Sequence, residues 1–101
     1  LDAETLRSIL TEPKNALIKQ YTQLFAIEDI QLKIDPEVFD FITAKAMEYK
    51  LGARGLRSIC ESLFTQAMFE LPGTDTKLFH VTLDYAKNMF DKSKISALKV
   101  A

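Results

Sequence analysis

The chain has 101 residues, 48% of them apolar, with 13 basic and 14 acidic side chains and a net charge of −1. That length can bury one core without disulfides or metal, and the composition is that of a folded domain rather than a disordered one. The balanced charge offers no general attraction to nucleic acid or to an anionic membrane, and Cys60 with His80 cannot by themselves assemble a tetrahedral zinc site.

Asp2 is placed to cap a first helix, in which Leu6, Ile9 and Leu10 fall at helical spacing until Pro13 disfavours helix at Glu12. A second helix is predicted from Pro13 to near Glu28, its buried face marked by Leu17, Tyr21, Leu24 and Phe25. In "IQLKID", Ile30, Leu32 and Ile34 alternate with polar residues, the pattern of a half-buried strand. Asp35-Pro36-Glu37 then opens a third helix with an N-cap, an N1 proline and a first-turn acid. Phe39, Ile42, Ala46 and Tyr49 mark its inner face, and Gly52 is placed to end it as the left-handed C′ residue.

A fourth helix starts almost at once, with Leu56, Ile59, Leu63, Ala67 and Leu71 in one stripe that Cys60, Phe64 and Met68 widen. "LPG" at Leu71 to Gly73 stops it. A second strand is predicted in "FHVTLDY", with Phe79, Val81, Leu83 and Tyr85 on one face, followed by a short helical turn and a third, edge strand in "ISALKV". The expected fold class is α+β: about four helices packed on a small two- or three-stranded sheet, forming one domain over residues 1–101. No apolar run approaches the roughly 20 residues that span a bilayer and no signal-peptide pattern opens the chain, so a cytoplasmic location is expected. Leu1 is not methionine, which fits a piece of a longer protein.

Catalytic candidates are few. Cys60 lies within an apolar helical stripe, where a free cysteine is ordinarily a core residue, and His80 falls on the polar face of its strand. Asp35, Glu37 and Asp40 cluster, but a helix start accounts for their charge. The chain contains no GxxxxGK[ST], GxSxG, HExxH or GxGxxG pattern, so no catalytic residue and no metal ligand is assigned to it.

"KLGARGLRSI", from Lys50 to Ile59, stands apart, because Arg54 occupies the first turn of a helix, where a cation opposes the helix dipole. Gly52, Ala53 and Gly55 surround it with small residues that permit close approach. Two readings are open. Arg54 and Arg57 could pair with Glu48 or Glu61 on the surface, which spacing alone favours, or Arg54 could meet an anion such as phosphate beside the helix N–H groups.

"GARGLRSI", together with "ILTEPKNALIKQY" at Ile9 to Tyr21 and "MFELP" at Met68 to Pro72, resembles the C-terminal small domain of the ClpX family of AAA+ unfoldases, in order and over nearly the whole chain. "GAR" alone is less specific, being shared with HslU and other AAA+ small domains. The resemblance implies that Arg54 is the sensor-2 residue reaching the phosphates of ATP, with Gly52, Ala53 and Gly55 as its supporting backbone and Leu1 at a hinge or adenine contact. It further implies a preceding large AAA+ domain that holds ATP with Mg, a homohexameric ring of neighbouring subunits, protein substrates, and the ClpP peptidase as a partner reached through other regions. Leu51 stands where members of that family often carry threonine.

On this reading the chain is not an enzyme alone but part of an ATPase, couples ATP binding and hydrolysis to hinge motion, and holds no ATP tightly by itself. It engages neither nucleic acid nor membrane. The alternative is a free-standing protein-interaction module, with Ile18 and Tyr21 near the edge of the buried stripe. Nucleic-acid binding through Arg54, Arg57 and the Lys-rich tail is the weakest option, since the overall charge lends it no support.

Overall fold

The Asp2 carboxylate accepts the Thr5 N–H at 2.8 Å and so caps α1 (Ala3–Thr11), as its sequence predicts. This bond holds the Asp2 carboxyl below the usual carboxylate range. The structure, a computed structural model, describes residues 2–11 and 17–93. After α1 come α2 (Leu17–Ile27), β1 (Gln31–Ile34), α3 (Pro36–Glu48), α4 (Gly52–Glu70), β2 (Leu78–Val81) and α5 (Leu83–Lys92). The architecture is α+β, with five helices among the described residues where about four were expected.

The two strands pair in parallel, Gln31 opposite Leu78 and Ile34 opposite Val81, so the α3–α4 hairpin forms the crossover between them. α4 is the spine of the core. Gly55, Leu56, Ile59, Cys60, Leu63, Phe64 and Ala67 are all buried along it, which is the wide stripe read from the sequence. Each large side chain in that stripe contributes about 1.5–3 kcal/mol by leaving water. Leu6 and Leu10 of α1, Leu17 and Phe25 of α2, Val38, Ile42 and Ala46 of α3, and Ala86 and Phe90 of α5 pack with it, together with Ile30 beside β1 and Phe79 and Val81 of β2. Tyr21 of α2 packs its ring on Phe64 of α4 at 4.8 Å between centroids.

Some sequence expectations are corrected. The strand predicted through Tyr85 stops at Val81, because Thr82 leaves the ladder and its Oγ1 accepts the Tyr85 N–H at 3.2 Å, capping α5. Asp35 takes the N-cap position of α3 without a side-chain cap bond; its carboxylate instead meets His80 Nε2 at 2.7 Å, tying the start of α3 to β2. His80 faces solvent, as expected, and is held in that pair. Gly52 does not end α3, as described below. Leu24 lies 44% exposed rather than on the buried face. Leu1, the start predicted for the second helix at Pro13 and the edge strand predicted at Ile95 to Val100 lie outside the described residues.

Candidate functional site

The corner between α3 and α4 positions Arg54. After Tyr49, the C-cap of α3, Lys50 takes the left-handed conformation at φ 57°; its N–H donates to the Met47 carbonyl at 3.1 Å and the Leu51 N–H to the Ala46 carbonyl at 2.9 Å. These are the two bonds of a Schellman cap, so Lys50 holds the C′ position expected for Gly52. Gly52 also has positive φ, 63°, and it opens α4. A side chain there would cost about 1–2 kcal/mol in the left-handed region, and glycine avoids it.

Gly55 serves a different purpose. It is buried, and a Cβ added to it would overlap the Leu51 Cβ, so its missing side chain lets Leu51 fold back over the first turn of α4. The Gly55 N–H donates to the Leu51 carbonyl at 3.3 Å. That first turn has no capping side chain and no acidic residue, which leaves its positive end uncompensated by its own sequence.

Arg54 emerges from this turn exposed, beside exposed Ala53. It borders a groove of about 490 Å³ lined by Ile9 of α1, Leu17 of α2, and Ala53, Arg54, Arg57 and Ser58 of α4. One side of the groove is aliphatic and the other carries two guanidinium groups. Neither arginine forms a salt bridge with a described carboxylate: the ion pairs among the described residues are Arg7 with Asp40, Lys45 with Glu48, Lys77 with Asp29, and His80 with Asp35. The surface pairing that spacing favoured is therefore not the arrangement found. Among the described residues Arg57 forms no salt bridge with Glu61 despite the i,i+4 spacing.

The remaining candidates do not converge on a reaction centre. Cys60 is fully buried, and burial pushes its thiol up to about 12, against the opposing charge of Arg57. Burial likewise raises the Tyr21 hydroxyl to about 12. Cys60 and His80 lie apart, one in the core and the other on the surface with Asp35. Asp40 bonds Arg7 at 3.1 Å while Asp35 holds His80, so the carboxylates at the start of α3 serve different partners. Among the described residues no group of three His, Cys, Asp or Glu side chains could hold a metal ion. The groove lining that sequence reasoning missed is Ile9, Leu17 and Ser58; Ser58 could have been found as the i+4 neighbour of Arg54, whereas Ile9 and Leu17 join it only through tertiary packing.

Residues 1–76 match the family model described as the C-terminal, D2-small domain, of ClpB protein, and the chain belongs to that family. Within it, the match is to the C-terminal small domain of ClpX. An ATP-dependent Clp protease ATP-binding subunit ClpX from Bacteroides fragilis is 52% identical over 101 residues, covering 100% of this chain and 24% of the relative. The protein of that name from Porphyromonas gingivalis is 48% identical over 87 residues, 86% of this chain and 21% of its own length. That from Azotobacter vinelandii is 44% identical over 88 residues, 87% of this chain and 20% of its own. The chain thus spans at most about a quarter of the length of these curated relatives. Among the described residues, no helix is long and apolar enough to cross a membrane.

Proposed function

We propose that this chain, over residues 1–101, is the sensor-2 small domain of a ClpX-type protein unfoldase, in which Arg54 reaches the phosphates of ATP. The observation that carries the reading is an exposed arginine without a described carboxylate partner, at the uncapped start of α4, in a chain whose full length matches ClpX. A helix start with free N–H groups and a guanidinium is suited to a phosphate, and an arginine fork meets two phosphate oxygens at once. The triphosphate would lie between this domain and a preceding large AAA+ domain that brings Mg and the catalytic groups, with Leu1 at the hinge or the adenine.

Nucleotide-dependent motion at that hinge would move the small domain against neighbouring subunits of a homohexamer, and so pull protein substrates toward ClpP in the cytoplasm. Alone, the chain has no catalytic role. Exposed Phe69 and Ile27 also suit a free-standing interaction module, but they fit contacts within a ring equally well.

The test is Arg54→Ala in the full-length ATPase. The variant is expected to fold normally, because the side chain is exposed, and to lose the coupling of ATP to substrate unfolding. Normal ATP-driven unfolding by the variant would end this reading. A single charge-assisted contact contributes about 1.5–3 kcal/mol, and even a millimolar Kd requires about 4 kcal/mol. The 101-residue chain by itself should therefore show no micromolar affinity for ATP, and a saturable micromolar isotherm by calorimetry would contradict that.

A further inference from the structure

We propose that Leu51 is a positioning residue for Arg54: its side chain, seated where a Gly55 Cβ would stand, locks the first turn of α4 and so fixes the direction in which Arg54 leaves the helix. The inference rests on the reading of Arg54 given above and extends it to a residue that acts only through that arginine.

Leu51 serves both helix ends. Its N–H closes α3 on the Ala46 carbonyl at 2.9 Å, and its carbonyl accepts the opening bond of α4 from the Gly55 N–H at 3.3 Å. Its own dihedrals are right-handed, φ −89° and ψ −20°, but it stands between two left-handed residues, Lys50 at φ 57° and Gly52 at φ 63°. Glycine is the residue least restrained in its dihedrals, so the backbone alone leaves the corner free to rotate at Gly52. The usual restraint on a helix start is a capping side chain, and α4 has none. Its opening bond is also longer than the two that close α3, at 3.1 and 2.9 Å.

The packing of Leu51 on Gly55 supplies the missing restraint. A Cβ on Gly55 would overlap the Leu51 Cβ and come within 3.0 Å of its Cδ1 and 3.1 Å of its Cγ. The contact brackets Gly52, Ala53 and Arg54, so a rotation at Gly52 drives Leu51 into Gly55 or lifts it away. Close packing resists the first, and the second forfeits the dispersion contact. Arg54 pairs with no described carboxylate, so the turn beneath it, rather than an ion pair, sets its course.

The test uses the full-length ATPase carrying this domain, with Leu51→Ala, Leu51→Met, Arg54→Ala and the double variant Leu51→Ala/Arg54→Ala. Thermal unfolding first establishes that each is folded, which the half-buried setting of Leu51 favours. Should Leu51→Ala not fold, Gly55→Ala breaks the same contact from the other side and takes its place; if neither folds, the contact is a requirement of the fold and the inference is overturned. Leu51→Ala is expected to lower both kcat/KM for ATP and the rate of ATP-driven unfolding about tenfold, within the range for one charge-assisted contact. Leu51→Met should stay within about twofold of the parent, because its bulk is conserved.

The double variant separates positioning from support of the fold. If Leu51 acts through Arg54, its truncation costs nothing further once the arginine is gone, and the double variant matches Arg54→Ala within about twofold. Equal losses in both backgrounds overturn the inference, as does a Leu51→Ala protein that works like the parent. Arg54→Ala reads the underlying site separately: if that variant unfolds substrate like the parent, the site itself is wrong and the inference falls with it.

Discussion

Gly55 has no room for even one carbon, because the Leu51 side chain occupies the space a Cβ would need. Gly55→Ala should therefore force Leu51 off the first turn of α4 and destabilise the chain by about 1–3 kcal/mol, the usual cost of overpacking a tight site. Urea unfolding would read this as a lower midpoint, and an unchanged midpoint would show that Leu51 moves aside freely. The glycine pair was visible in the sequence as a tight corner, and the corner is there. The assignment of roles was not visible: Lys50 took the left-handed C′ position at φ 57°, where a side chain is disfavoured but tolerated, and Gly52 moved into the next helix. Local sequence favours glycine at C′, but the Leu51 N–H bond to Ala46 fixes which residue holds it.

At the scale of the element, α5 was the part least readable in advance. Phe79, Val81, Leu83 and Tyr85 alternate across a strand end and a helix start without interruption, and period-2 spacing does not mark the boundary between them. Thr82 marks it physically, since its hydroxyl accepts the Tyr85 N–H and starts the helix. Thr82→Ala should cost about 1 kcal/mol, measurable as a lower thermal midpoint; an equal midpoint would mean that packing of Ala86 and Phe90 alone sets the helix start. The long α4 was legible from its stripe, because its buried positions recur every three to four residues and no competing pattern overlaps them. The groove was half legible. Arg54 and its small neighbours lie in one short stretch, while Ile9 and Leu17 reach it from two other helices. Cross-helix fasteners were also hidden, among them Lys45, whose ammonium lies 5.5 Å from the Phe90 ring centroid and joins α3 to α5.

For the whole molecule, Cys60 and Tyr21 set an alkaline limit. Burial raises the Cys60 thiol from 9.0 to about 12 and the Tyr21 hydroxyl from 10.0 to about 12, so the folded chain keeps both neutral at a pH where the unfolded chain ionises them. The stabilisation from these groups is complete below about pH 9 and is lost as pH rises toward 12. Urea midpoints at pH 8 and pH 11 should differ, the higher pH being the less stable; equal midpoints would show that neither group stays neutral in the folded chain. The Schellman corner sets a second limit, on rotational phase. Each residue advances a helix by about 100°, and there is no slack between Lys50 and Gly52, where one helix cap passes directly into the next helix. The azimuth of Arg54 is therefore counted from the core stripe of α4 in whole residues, like a gear tooth cut on the same shaft as the teeth that mesh inside the molecule.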